Sequence, residues 1–557
     1  MWQILTSQYR SSVPRILCSL LFMALMSLIL SACSVLREVD NDHEFEATVD
    51  QFYGGVVADE PQAAVVANNI LQLGGSAADA AVALFFSLSV TYPSNASLGS
   101  GGVCLVHHPG DSDRKTKVLA LEFLTSNHPS STPSSVSKRV SMPGSVMGMN
   151  LLHERYGRMR WEQLIAPAER MAQLGHPIST ALANDLFLAV RHGSLFQDPN
   201  IMEIFSDENG QPLREGKLII QRDLAETLSK IRVKGSKEFY KGDLANTFIK
   251  SVRSSGGYIL SDELKKYKAR WTNTITTRFK NHYIHVPKFP VVGGITAMST
   301  FALLNGDNRW KNTSKNGRAH LFVESSARAF SDRGNWFGAN NKEVKVFSIQ
   351  RLESSMGSYS AEKHRPTKNL DPQPLRFLQS PAGTTFIIVD AYGMAVSCVI
   401  SMNNLFGAGQ MASGTGIILA ASPRKHSLGL YPHAPLIISN PYSGSIVLAG
   451  AAIGGVTASS ALSSVMVDVL LGGDDINNAI LRPRLHHGGS PDYVVVEPDI
   501  PKKIAELLRG RGHNVTSAPE VGRVNAIYCS DGSFGSEANC ILAKDPRGFG
   551  EKIYVSF

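Results

Sequence analysis

Adjacent imidazoles at His486 and His487, and a small set of thiols, are the side chains whose types and spacing could do chemistry unaided. Two histidines in a row can begin a metal site. Successive side chains on a strand point to opposite faces, however, and no third ligand lies at a useful spacing, so no metal is expected there. Cys529 and Cys540 bracket Ser530-Asp531-Gly532-Ser533-Phe534-Gly535. That turn-rich stretch could bring the two thiols together as a hairpin staple in an oxidising compartment; free buried thiols are the alternative. Cys104 and Cys398 are the remaining thiols of the body. The formal charge of +8 is spread over 55 basic and 47 acidic residues, with no run of five or six like charges. A dedicated nucleic-acid surface is therefore not expected.

Arg10 and Arg15 precede an uncharged run from Ile16 to Leu30 that is apolar except for Ser19 and Ser27, and small residues follow at once. This order of positive, hydrophobic and cleavage regions reads as a secretory signal. A run of about 15 residues falls short of the roughly 20 that cross a hydrocarbon core. Leu30-Ser31-Ala32-Cys33 resembles the bacterial lipobox, in which the thiol is diacylated and becomes the mature N-terminus, so Cys33 is the expected lipid carrier. Two or three acyl chains hold a protein stably to a bilayer. Ser34 is compatible with sorting to an outer membrane, and the polar, acidic stretch from Val35 to Asp50 suits a tether. The expectation is a lipid-anchored protein of the cell envelope, periplasm-facing or on the outer membrane.

The elements of the body must be of both kinds. With 557 residues, 43% hydrophobic and 18% charged, the chain can bury a large core. Helical periodicity runs over Gln62 to Leu73, stopped by Gly74-Gly75, over Arg160 to Leu174, stopped by Gly175, and over Leu224 to Ile231. Strand patterning marks Val103 to His107, Val118 to Phe123, Thr384 to Val389, Ala395 to Ser401, Ile446 to Leu448 and Tyr493 to Glu497. Arg351 to Pro381 is rich in Ser, Pro, Lys and Gln, and reads as a long loop and the natural boundary of the chain.

From Tyr53 onward, ordered motifs carry a family resemblance. Gly74-Gly75-Ser76-Ala77-Ala78-Asp79-Ala80-Ala81 is followed by Leu98-Gly99-Ser100-Gly101-Gly102, Pro143-Gly144-Ser145-Val146, His153-Glu154-Arg155-Tyr156-Gly157, Phe239-Tyr240-Lys241-Gly242 and Arg482-Pro483-Arg484-Leu485-His486-His487. In this order the sequence resembles the gamma-glutamyltranspeptidase family over about 500 residues. The resemblance implies an α+β fold, the αββα sandwich of the N-terminal-nucleophile (Ntn) hydrolases, with no cofactor. With the N-terminal reading of a signal peptide at 1–32 and a lipidated tether at 33–50, it implies a large-subunit-equivalent region at 51–382 and a small-subunit-equivalent region at 383–557.

In that family a precursor cuts itself before a threonine, whose freed amine then activates its own hydroxyl for attack on a gamma-glutamyl amide. An ungapped alignment on Phe386, Val389-Asp390, Gly393, Ala395-Val396, Asn403 and Phe406-Gly407 puts Gly383, which has no hydroxyl, at the nucleophile position. Sliding by one residue would make Thr384 the nucleophile, but a one-residue slip on a strand turns every side chain to the other face unless a bulge absorbs it. Ser401 corresponds to the threonine supporting the nucleophile, Asn403 to a substrate-binding asparagine, and Gly454-Gly455 to the glycines of the oxyanion hole.

Other positions depart from the family. Leu124 stands where an arginine would clamp the substrate carboxylate. Ala420-Ala421-Ser422-Pro423-Arg424-Lys425 replaces an acidic and amide run, and Tyr431-Pro432 stands for paired serines. Losing the arginine clamp and inverting the amino-group site each removes a contact worth about 1.5 to 3 kcal/mol. The primary expectation is a binding or scaffold protein with lost or much reduced glutathione hydrolase and transpeptidase activity, holding a gamma-glutamyl or related small molecule. The alternative is a self-processing gamma-glutamyl enzyme using Thr384 on a changed substrate.

Overall fold

The computed structural model describes residues 52–110, 117–126, 140–191, 195–333, 347–370, 382–422, 430–530 and 540–556. The apolar N-terminal run, Cys33, Arg424 and Lys425 lie outside them.

Two antiparallel sheets stack face to face. The first has seven strands in the order Glu551–Tyr554, Gly54–Ala58, Thr384–Asp390, Ala395–Ser401, Gly101–His108, Lys117–Phe123 and Arg270–Asn273. The second has six, in the order Cys540–Ala543, Arg523–Cys529, Ile446–Ile453, Ala434–Ser439, His282–Val286 and Ile275–Phe279. Each sheet contains strands from before and from after residue 383, so the two regions share one body.

The two-residue period of a strand assigns its side chains to layers. In Thr384–Asp390, Phe386 and Ile388 face a core shared with the helices Pro61–Gln72, Ala77–Thr91, Ser145–Tyr156 and Trp161–Leu174. Ile387 and Val389 face the opposite way, into a core between the sheets with Ile437, Ala449 and Ile527. Behind the second sheet, Leu436, Ile438 and Leu448 pack under Gly293–Asn305, Lys315–Ser331 and Ala458–Val467. Helix, sheet, sheet and helix form the αββα sandwich. The stretch expected to be a loop contains the helix Ile349–Met356 and a short turn at Thr367–Leu370; residues 371–381 lie outside the described residues.

The ordered motifs turn out to be joints of this frame. Ser76 caps Ala77–Thr91: its hydroxyl accepts from the Asp79 amide at 3.1 Å, and Asp79 accepts from the Ser76 amide at 2.9 Å. The same Asp79 carboxylate accepts the amide of Arg158, just past Tyr156-Gly157, and Asp390 accepts that of Ala77 at 2.9 Å. Tyr240 links two further motifs, donating to the Pro143 carbonyl at 3.2 Å and accepting from the Met147 amide at 3.1 Å. Arg484, wholly buried, donates to Asp545 and to the Gly522 carbonyl, each at 2.7 Å.

Both cysteine pairs are disulfides. Cys529 and Cys540 lie opposite one another on neighbouring strands, as the hairpin staple requires. Cys104 and Cys398 do the same on Gly101–His108 and Ala395–Ser401, across a separation of 294 residues.

Candidate functional site

At the N-terminal end of Thr384–Asp390 the two sheets part into a small cleft open to solvent. Gly383, Ser401, Asn403, Tyr431, His433 and the Gly454-Gly455 pair line it. A Cβ on Gly383 would lie 3.2 Å from the Ile400 carbonyl oxygen, 3.4 Å from Ile453 Cγ2 and 3.9 Å from Ser401 Cβ. Residue 383 therefore faces the inter-sheet side on which the cleft opens. Its amide donates to Asn95 Oδ1 at 2.7 Å.

Thr384 is one residue on, and its side chain does not line the cleft. It is wholly buried, and its hydroxyl donates to Asp59 Oδ2 at 3.2 Å. The same carboxylate oxygen accepts from the amide and the hydroxyl of Thr385, at 2.6 and 3.1 Å, and Asn525 Nδ2 donates to Asp59 Oδ1 at 2.7 Å. Burial pushes the Asp59 carboxyl above its ordinary value, while these donors and Arg523 act against that shift. No bulge interrupts the pairing of this strand with Gly54–Ala58 or Ala395–Ser401.

Ser401 and Asn403 do meet at the cleft. Ser401 Oγ donates to the Ala382 carbonyl at 2.8 Å and accepts from the Asn403 amide at 2.9 Å. Asn403 has a left-handed backbone, φ 65°, and its side-chain amide donates to Thr125 Oγ1 and the Ala421 carbonyl at 3.0 and 2.7 Å. Gly454 and Gly455, with φ of 121° and 64°, turn the chain from Ile446–Ile453 into the helix Ala458–Val467. A side chain at 454 would collide with Gly522 Cα at 2.7 Å, so the position needs glycine.

The opposite wall is filled. Tyr431 donates to the Thr125 carbonyl and forms an apolar cluster with Val103 and Val291, against which Leu124 packs. Leu124 and Tyr431, two of the positions that depart from the family pattern, thus touch the same cluster. Burial holds the His433 imidazole down to about 4, so it is neutral at physiological pH. Among the described lining residues none carries a fixed charge.

Asp59, Asn95 and Asn525 were not singled out from sequence. Each is an ordinary polar residue near an element end, and their convergence arises only when the sheets stack.

A family model described as gamma-glutamyltranspeptidase matches residues 63–428 and 420–555. The chain is 27% identical over 539 residues to the glutathione hydrolase proenzyme of Escherichia coli (strain K12), covering 89% of this chain and 90% of that protein. It is 28% identical over 556 residues to the proenzyme of the same description from Pseudomonas aeruginosa, covering 92% and 96%. Among solved structures, a cephalosporin acylase from Bacillus halodurans superposes with a TM-score of 0.76 at 21% identity, over 92% of this chain and 98% of that one, which speaks to the fold. With the αββα sandwich and the family match spanning nearly the whole body, this chain belongs to the gamma-glutamyltranspeptidase family.

Proposed function

We propose that this family member is an envelope-anchored binding or scaffold protein that has lost glutathione hydrolase and transpeptidase chemistry. The observation that carries the reading is the residue at the mouth of the strand. Gly383 occupies the position facing Ser401 and the glycine pair and has no hydroxyl, while the adjacent hydroxyl of Thr384 is turned onto Asp59. Without a hydroxyl on residue 383 itself, neither self-cleavage before that residue nor attack by it as a freed N-terminal residue can proceed. Leu124 and Tyr431 add weight, because an apolar cluster stands where substrate recognition in the family needs an arginine and hydroxyls. In this reading the cleft holds an uncharged or weakly polar small molecule related to the family's substrates. Diacylated Cys33 and the tether place the body at a membrane surface.

The test is intact mass with N-terminal sequencing of the chain after incubation at neutral pH. Disulfide reduction is essential, since Cys104 and Cys398 would keep two fragments together. A single chain beginning at acylated Cys33 is expected. A fragment beginning at Thr384 would overturn the proposal and favour the self-processing alternative.

A further inference from the structure

Far from the cleft in sequence chemistry, four histidines and two carboxylates gather behind the second sheet. His320 and Glu324 come from Lys315–Ser331, His364 from the segment after Ile349–Met356, His487 and Asp492 from the turn between Leu485–His486 and Val494–Val496, and His513 from just before Val515–Ser517. One ligand atom from each of His364, His487 and His513 lies within 4.8 Å of the others. Asp492 Oδ1 is 3.1 Å from His364 Nε2 and 3.2 Å from His487 Nε2.

These spacings are informative. Nitrogen and oxygen ligands about 2.0–2.1 Å from a tetrahedral zinc stand roughly 3.3 Å apart, which is close to the Asp492–His364 and Asp492–His487 separations. One ring nitrogen is also left over: His513 Nδ1 is buried and makes no hydrogen bond among the described residues, while His487 Nε2 faces Asp492. Buried polar atoms without a partner call for an explanation, and an ion is one.

The remaining members orient the ligands. His364 Nδ1 is held by Glu324 Oε1 at 2.6 Å, while Glu324 is paired on its other oxygen with Arg328. His320 Nδ1 is 2.8 Å from His513 Nε2, and its own Nε2 donates to the Ser360 carbonyl at 2.8 Å. The Gly489 amide donates to His487 Nδ1 at 3.2 Å. Metal-bound histidines characteristically donate the other ring N–H to a carboxylate or backbone group, as His364 Nδ1 does to Glu324; ligation through His487 Nε2 would move that ring's proton to Nδ1 and give up the bond accepted from Gly489. His486 takes no part, since its Nδ1 is 2.8 Å from Ser460 Oγ on the opposite face.

We propose that His364, His487, His513 and Asp492 form a structural site for a divalent transition ion, zinc by preference, oriented by Glu324 and His320. Three imidazoles and a carboxylate suit Zn²⁺ and are poor ligands for Mg²⁺ or Ca²⁺. The ion would tie three chain segments together, including the one that leads towards Gly383. Its contribution would be to folding stability.

The full chain, without a histidine tag and purified in detergent in the absence of chelators, is assayed for metal content, then stripped and titrated with Zn²⁺ against a chromophoric chelator. One equivalent is expected, with the visible absorption of tetrahedral Co²⁺ when cobalt replaces zinc. Asp492→Asn, at a partly exposed position, and His487→Gln should each weaken Zn²⁺ binding by about 100-fold or more, and Glu324→Gln by about 10- to 100-fold. Substoichiometric binding by the wild-type chain, or affinity unchanged in both Asp492→Asn and His487→Gln, would overturn the site and leave a hydrogen-bonded histidine cluster only.

Discussion

Ser401 Oγ donates a 2.8 Å hydrogen bond to the carbonyl oxygen of Ala382, the peptide group that a nucleophile at residue 383 would have to attack. The carbonyl is thus already polarised in the sense that supports addition to its carbon, while the residue that should supply the attacking oxygen is glycine.

Restoring the hydroxyl should therefore restore cleavage. Gly383→Thr is expected to yield, after reduction, a fragment beginning at residue 383, whereas Gly383→Ala yields none. The 3.2 Å approach to the Ile400 carbonyl requires a small adjustment that a β-branched residue on a strand can make. Mass spectrometry over several days reads the outcome. Glutathione hydrolysis should stay at background in the cleaved product, because Leu124 and Tyr431 are unchanged.

Thr384→Val removes one hydroxyl and keeps the branched shape. Asp59 retains its bonds from Thr385 and Asn525, so a loss of about 1 kcal/mol is expected in urea unfolding. The variant should remain the same single chain as the wild type. Had Thr384 been the nucleophile, wild type would be cut and the variant intact.

Burial pushes the Asp185 carboxyl up to about 6, against hydrogen bonds from Ser94 and Asn95. In an unfolded chain it titrates near 3.9. Between these values the folded state holds a proton that the unfolded state has released, so this group's contribution is full below about pH 4 and is lost as pH rises through about 6. The loss amounts to about 2–3 kcal/mol. Asp185→Asn should flatten that fall, measured by urea unfolding at a series of pH values relative to wild type.

The two disulfides should differ in worth. Chain entropy predicts about 3 kcal/mol for the 11-residue separation of Cys529 and Cys540, and more for the 294-residue separation of Cys104 and Cys398. Replacing each pair by alanines and comparing unfolding midpoints should rank Cys104–Cys398 as the more stabilising.

Leu124 and Tyr431 meet in one apolar cluster, so their substitutions should not be additive. Leu124→Arg puts a cation beside an aromatic wall and should cost about 2 kcal/mol. With Tyr431→Ser opening space beside it, a double-mutant cycle should return a favourable coupling of about 1 kcal/mol.

Local pattern made much of the frame legible. The strand at Ala395–Ser401 and the helix ending at Leu174 have the expected ends, because alternation, helical periodicity and a glycine stop are properties of neighbouring residues. The ordered motifs carried the αββα fold, and the structure explains them as caps and joints around Asp79, Tyr240 and Arg484. The helix Ile349–Met356 escaped notice because it is short: Ile349, Leu352 and Met356 stand at helical spacing, but eight residues inside a polar stretch are too few to establish a period. Which face Gly383 and Thr384 present, however, depends on the register of the strand against Gly54–Ala58 and Ala395–Ser401. The pairing of Cys104 with Cys398, the gathering of Asp59, Asn95 and Asn525, and the meeting of His364, His487 and His513 likewise join residues far apart in sequence. No local spacing encodes such contacts; they exist only once burial of the inter-sheet and helix-facing cores has fixed how the layers stack.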